Sequence, residues 1–291
     1  MDPTAHASPL LPRSDSRTAE SSLPQRKSSS GESTFPLPQV SPLMLRWFTW
    51  YCRRYIGKHF HSLSLSCSSE VLPTSTLPIV LYTNHASWWD PLVGLVSKNL
   101  FFPNRTLFAP MDASMLNRYR MFQRLGFFGV RQGTRAGAAD FLRHSLAILQ
   151  DPAAILAITP QSCFTDVRQR PPQFRPGLGH LAALADDALF LPVAAEYAFW
   201  NQRLPEIFLR FGRAVRTSKT GPDRRSPEDW TRCFEEEMTR VQNTLAIEVQ
   251  GRNPMAFNVL LKGGSGQGGV YDRWSAWKAR IRRRAFQKDH N

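Results

Sequence analysis

The sequence has no apolar run approaching eighteen residues, which excludes a conventional spanning helix and leaves any membrane role peripheral. It has only four cysteines, Cys52, Cys67, Cys163 and Cys233, and no Cys-x-x-Cys pair. That spacing argues against a zinc ribbon or a disulfide framework and fits a reducing compartment. No internal repeat is visible. Acidic residues are the scarcer charge, 23 against 37 Lys plus Arg, for a formal net charge of +14. Such an excess suits an anionic partner: a lipid surface, a phosphorylated substrate or nucleic acid. Charged residues total only 21% and apolar ones 42% of 291 residues, enough for a sizeable core and too few charges for a wholly disordered or coiled-coil chain.

Residues 1–40 carry nine Ser and six Pro, with four acids cancelling four bases. A segment so poor in periodic apolar residues cannot offset the entropy lost on ordering, and a disordered tail is expected. No apolar h-region follows the start, so a secretory signal is not expected, and the four acids disfavour a transit peptide.

A helix is expected over 41–62, with Ser41 as N-cap and Pro42 at the first helical position. At 100° per residue, Leu43, Met44, Trp47, Phe48, Tyr51, Tyr55 and Ile56 share one face, and Arg46, Thr49, Arg53, Arg54 and Lys58 the other. Aromatic bulk opposite cations is the make-up of a helix lying in a bilayer interface; a core-packed helix gives the same pattern. At the other end, Gly-Gly-Ser-Gly-Gln-Gly-Gly at 263–269 reads as a flexible connector. A basic amphipathic helix is expected after it, so that 263–291 would form a linker and a second surface for anionic membranes or calmodulin-like partners; a solvated surface helix gives the same pattern.

Between these flanks, over about 70–250, short apolar runs alternate with helical patterns, predicting an α/β domain with a central, mostly parallel twisted sheet flanked by helices. Strands are expected at Leu77–Thr83, Thr106–Ala109, Phe127–Val130, Ala153–Thr159, Leu189–Glu196 and Ile207–Phe211. Helices are expected from Asp90-Pro91, over Ala136–Gln150 and Gly177–Asp186, and from Ser226-Pro227 to about Val249. A Pro- and Arg-rich loop fills Pro160–Pro176.

Chemistry concentrates in Leu81-Tyr-Thr-Asn-His-Ala-Ser-Trp-Trp-Asp-Pro91. Asn84 and His85 follow a strand, at the end where open α/β sheets place ligands, and Asp90 comes five positions after His85. A histidine there acts as general base if a carboxylate holds its other ring nitrogen. The same residues have plainer readings: Asp90 before Pro91 as a helix N-cap, His85 as a structural histidine, and Trp88 and Trp89 as core.

These residues resemble the first signature of the glycerolipid acyltransferase family, which includes the bacterial lysophosphatidate acyltransferases: Asn-His, four residues, Asp. A second block, Gly126-Phe-Phe-Gly-Val-Arg131, is similar to the family's Gly and hydrophobic run closing on Arg, one residue shorter than the common form. The third is normally Pro-Glu-Gly and then Phe-Lys-x-Gly; here it is Pro160-Gln161-Ser162 and then Phe174-Arg175-Pro176-Gly177. Leu191-Pro192-Val193 matches the fourth. The resemblance spans roughly residues 75–215.

It implies O-acyl transfer from acyl-CoA or acyl-carrier protein to a lipid hydroxyl, with His85 as base and Asp90 orienting it. No metal and no prosthetic group are implied, the acyl donor being a co-substrate. The implied substrate-binding positions are Asn84, Ser87, Arg131, Pro160, Gln161, Ser162, Arg175 and Gly177. Arg131 and Arg175 suit a phosphate, since a guanidinium matches its geometry. The N-terminal aromatic helix and the C-terminal basic helix are expected to set a peripheral protein on the anionic, cytoplasmic leaflet, with membrane lipids and the acyl donor as partners. Gln161 lacks the family's negative charge and Ser162 its backbone freedom, which opens the acceptor to glycolipid-type molecules. A non-catalytic lipid-binding protein on the same fold is the alternative. Nucleic-acid binding rests on charge alone, and a metal hydrolase on His85, Asp90 and Asp112 lacks a second well-placed histidine.

Overall fold

The computed structural model describes residues 37–221 and 224–264. The expected tail up to residue 36 and the basic segment from 265 onward lie outside them. In chain order the elements are α1 (Pro42–His59), β1 (Ser62–Ser66), β2 (Ile79–Thr83), α2 (Asp90–Phe101), β3 (Thr106–Asp112), α3 (Ala113–Arg118), a 3-10 turn (Arg120–Leu125) and β4 (Phe127–Val130). They continue with α4 (Arg135–Ile148), β5 (Ala154–Ile158), α5 (Gly177–Leu184), β6 (Ala188–Ala198), β7 (Glu206–Phe211), β8 (Val215–Thr217), α6 (Pro227–Gln250) and β9 (Phe257–Lys262).

The strands form one sheet in the order β4-β3-β5-β2-β6-β7-β1-β9, with β8 beside the start of β6. The block β4-β3-β5-β2-β6 is parallel throughout. β7 reverses direction against β6, β1 runs parallel to β7, and β9 turns back against β1. The fold is thus the expected mixed α/β arrangement, a mostly parallel sheet between helices.

Strand alternation explains the two cores. On β2, Val80 and Tyr82 face a cluster that includes Phe190, Phe234 and Val241, under α4, α5 and α6. Ile79 and Leu81 point the other way, toward Ile56, Val93 and Val96 of α1 and α2. Apolar residues on both faces are what a strand in the middle of a parallel block requires. Each fully buried aliphatic side chain contributes about 1.5–3 kcal/mol, so this double-sided strand is a firm base for the loop that follows it.

Helix starts follow local chemistry. The Ser226 hydroxyl accepts from Asp229 N–H at 3.0 Å ahead of Pro227, and the Thr134 hydroxyl from Gly137 N–H at 3.0 Å. Ser41 accepts from Met44 N–H at 3.5 Å, with Pro42 at the first turn as expected.

Two expectations need correction. The sheet takes strands from outside 70–250, β1 before it and β9 after it. The alternating Ser62-Leu-Ser-Leu-Ser66 gave no apolar signal because its serines are buried in a polar seam. Ser62 donates to Glu206 at 2.9 Å, and Arg210 donates to Ser66 at 2.8 Å and pairs with Glu248 of α6 at 3.0 Å. The second correction concerns the connector, whose first glycines are docked: Gly263 N–H bonds to His61 O at 2.8 Å and Gly264 N–H to Gly57 O at 2.9 Å. A Cβ on Gly263 would fall 2.1 Å from Phe60 O, so only glycine permits that approach.

Helix α1 divides its apolar residues between two surroundings. Cys52 and Ile56 are buried, with Leu45 and Phe48 packed beside them. Leu43, Trp47, Trp50 and Tyr51 are exposed, flanked by exposed Arg46, Arg53, Arg54 and Lys58. Helix α1 thus packs into the core on one side and carries exposed aromatics and cations on the other. Among the described residues no helix is long and apolar enough to cross a membrane.

Candidate active site

β2 ends at Thr83, and the next residue fixes everything that follows. Asn84 is 1% exposed. Its side-chain carbonyl accepts Ala195 N–H at 2.8 Å and its amide donates to Ala195 O at 2.9 Å. Thr83 pairs with Val193 in the sheet, so the Asn84 side chain extends the β2–β6 ladder after the β2 backbone has turned away. Asn84 was expected to touch substrate; instead both ends of its amide are occupied, and it acts as a clamp.

From the opposite side, the 160–176 loop holds the His85 backbone. His85 N–H donates to Gln161 Oε1 at 2.7 Å, and Thr165 N–H donates to His85 O at 2.9 Å. The His85 main chain is thus pinned between the elements following β5 and the strand β6. The Phe164 ring lies 4.4 Å from the imidazole, centroid to centroid.

The turn 85–90 then brings the carboxylate back. Asp90 N–H bonds to Ser87 O at 3.1 Å, which tightens the chain so that His85 Nδ1 meets Asp90 Oδ2 at 2.8 Å. The same oxygen accepts Ser87 N–H at 3.0 Å, and Oδ1 accepts the Tyr197 hydroxyl at 2.6 Å. Asp90 lies in the first turn of α2, and its carboxylate makes no capping bond there. The helix-cap reading of Asp90 is therefore replaced by a carboxylate with three donors, two of them within its own turn. In the tautomer whose Nδ1–H donates to Asp90, the acceptor lone pair belongs to Nε2, which has no partner among the described residues. The His85 side chain is 18% exposed and that of Asp90 5%, so the ring reaches solvent while its carboxylate is sheltered.

Beside the pair lies a cavity of about 490 Å³, within the range of small-molecule sites. Phe60, Trp89, Val167, Tyr197, Phe199 and Pro205 form its apolar wall; Ala86 and Ser87 bring the His–Asp turn to it, and Asp166 and Arg168 are polar members of the lining. Arg168 and Asp166 pair with each other at 2.7 Å, and the guanidinium holds the Asp166 carboxyl well below the usual range. Burial and the Asp90 charge push the Tyr197 phenol well above its ordinary value, so it remains a donor. Trp89 lines the cavity and packs edge-on against Phe60 at 4.8 Å, whereas Trp88 is exposed rather than core.

The remaining candidates separate. Pro160 and Arg175 close the base of the loop through Arg175 N–H to Pro160 O at 2.8 Å, placing both beside buried Gln161. Ser162 has φ +60° and its N–H bonds to Thr159 O at 3.0 Å, so the turn keeps the left-handed backbone of a glycine without having one. Gly177 opens α5, where a Cβ would press on the Phe141 ring at 3.3 Å, a packing role. Arg131 follows β4, three strands from β2 along the same edge, roughly 14 Å away. It is 62% exposed and pairs with Asp140 at 3.0 Å. Arg131 and Arg143 together hold the Asp140 carboxyl below its ordinary value.

Among the described residues no three His, Cys, Asp or Glu side chains converge as metal ligands. Asp112, the third member of the hydrolase alternative, caps α3 through Ser114 N–H at 2.9 Å.

Tyr197, Phe60, Phe164 and Phe199 were not singled out from the sequence. Only strand parity after Leu191-Pro192-Val193 points toward one of them: Val193, Ala195 and Tyr197 alternate onto one face.

No protein-family model and no curated protein sequence matches the chain. Among solved structures, it is similar to the crystal structure of the 1-acyl-sn-glycerophosphate (LPA) acyltransferase PlsC from Thermotoga maritima, with 18% identity and a TM-score of 0.49. The match covers 72% of this chain and 80% of that one. At that distance the functional reading stands on the site's own geometry.

Proposed function

We propose that the chain is an acyltransferase moving a fatty acyl group from a thioester donor, acyl-CoA or acyl-carrier protein, to the hydroxyl of a lysophospholipid or related lipid. The observation that carries this reading is the 2.8 Å contact between His85 Nδ1 and a carboxylate fixed by two further donors, next to a cavity lined by the neighbouring Ala86, Ser87, Trp89 and Tyr197. The four sequence blocks in family order support it.

In this mechanism Nε2 takes the proton of the acceptor hydroxyl as its oxygen attacks the thioester carbonyl. The tetrahedral intermediate collapses with cleavage of the C–S bond. The departing thiolate recovers the proton from the imidazolium, so no acyl-enzyme forms and His85 ends neutral. Asp90 keeps the ring in its Nδ1–H tautomer and stabilises the imidazolium while it exists. The cavity beside the pair suits an acyl chain. Arg175, next to Gln161, and Arg131, farther along the edge, are the cations offered to a phosphate on the acceptor or donor. Gln161 holds the His85 backbone through a carbonyl oxygen, a task that needs no negative charge, so its replacement of Glu is compatible with catalysis.

The exposed Leu43, Trp47, Trp50 and Tyr51 with their four flanking cations support a peripheral seat on an anionic leaflet, on the cytoplasmic side. The test is incubation of the chain and its His85→Ala variant with radiolabelled palmitoyl-CoA, and in parallel palmitoyl-acyl-carrier protein, and vesicles containing lysophosphatidate or a lysoglycolipid. Labelled diacyl product from the parent and none from the variant supports the proposal. Donor or vesicle binding with no product from either identifies a non-catalytic lipid binder.

A further inference from the structure

Asp90 could hold His85 in more than one way, because rotation about a carboxylate's terminal torsion is soft. Oδ2 is held from within its own turn, by Ser87 N–H and His85 Nδ1. Oδ1 is held from 107 residues away, by the Tyr197 hydroxyl at 2.6 Å. Tyr197 is itself placed by β6, two residues beyond the Ala195 that Asn84 clamps, so phenol and imidazole are referenced to the same strand pair. We infer that Tyr197 is a positioning residue for the proposed reaction, locking the rotation of the Asp90 carboxylate so that Oδ2 stays on His85 Nδ1. The inference rests on the catalytic reading of His85 given above.

The chemistry of the donor matters. A guanidinium or ammonium at Oδ1 would neutralise Asp90 and leave little charge to stabilise an imidazolium; a phenol supplies direction and keeps the carboxylate's charge. Burial and the neighbouring carboxylate both oppose ionisation of the phenol, which keeps its proton for this bond. The Tyr197 ring also lines the cavity and lies 5.9 Å from the Phe60 ring, so ring and hydroxyl serve separable purposes. Removing only the oxygen leaves the apolar wall in place and frees Oδ1.

The experiment is Tyr197→Phe in the full chain, read two ways. One is steady-state kinetics with palmitoyl-CoA and lysophosphatidate vesicles. The other is the downfield proton resonance of the His85 Nδ1–H, identified by its absence from His85→Ala. Expected are a fall in kcat of about tenfold, KM for palmitoyl-CoA within about twofold of the parent, and a resonance that shifts or broadens. Unchanged kcat overturns the inference. So does a fall in kcat with an unmoved resonance, or a rise in KM alone, which would make Tyr197 a cavity wall and nothing more. Retained turnover in His85→Ala removes the catalytic reading instead, and the resonance by itself then decides whether Tyr197 sets the geometry of the pair.

Discussion

The centre and one end of the same sheet edge are built differently. At the centre, after β2, the His85 segment is held by Asn84 on one side and Gln161 on the other, and its carboxylate by three donors. At the outer end, after β4, Arg131 is largely exposed and pairs with one carboxylate that it shares with Arg143. A central position gives a loop two neighbouring strands to bond to, and an edge position gives it one. The contrast is one of rigidity, and it can be tested residue by residue.

The largest effect is expected at the centre. His85→Ala or Asp90→Asn lowers turnover by about 10³-fold with the thermal unfolding midpoint close to the parent's, as checked by labelled acyl transfer and circular dichroism. If either variant kept normal turnover, the proton-transfer role would be lost. Next comes the clamp. Asn84→Ala leaves the buried Ala195 N–H and C=O without partners and costs about 2–3 kcal/mol, seen as a lower unfolding midpoint with reduced turnover. An unchanged midpoint would mean that the centre is not over-determined.

The outer end predicts something milder. Arg131→Gln raises KM for a phosphate-bearing acceptor by less than about tenfold and leaves kcat near the parent value, measured against a neutral lysoglycolipid as control. A collapse of kcat there would erase the distinction between centre and outer end. The smallest effect belongs to the turn after β5. Ser162→Gly relieves a left-handed backbone at an exposed position, against glycine's greater freedom in the unfolded chain. The net gain is about 0.5 kcal/mol, detectable as a slightly higher midpoint in denaturant.

Much of the centre was legible because it is local. The strand before His85, the five-residue return to Asp90 and the helix from Asp90-Pro91 all lie within one stretch of chain. The apolar runs at β4, β5 and β7 and the capped start of α6 were legible for the same reason. The bond from Tyr197 to Asp90 was not, since nothing near either residue marks a partner 107 positions away. Nor was β1, whose alternate serines are polar yet buried, because only Arg210, Glu206 and Glu248 arriving from β7 and α6 make that tolerable. The helical wheel of α1 grouped Trp47 with Ile56, but a wheel has no information on where the neighbouring α2 and β-sheet stop covering it.

The amino-acid order alone determined the alternation of strands and helices, the place of the imidazole at a strand's carboxyl end and the carboxylate able to reach it. These follow from periodicity and spacing, which act over a few residues. Which donors fix that carboxylate, which side chain became a clamp and which face of the first helix stayed uncovered were decided only when distant strands came together. Hydrogen bonds and burial depend on what is adjacent in space, and adjacency across a sheet is a property of the folded chain.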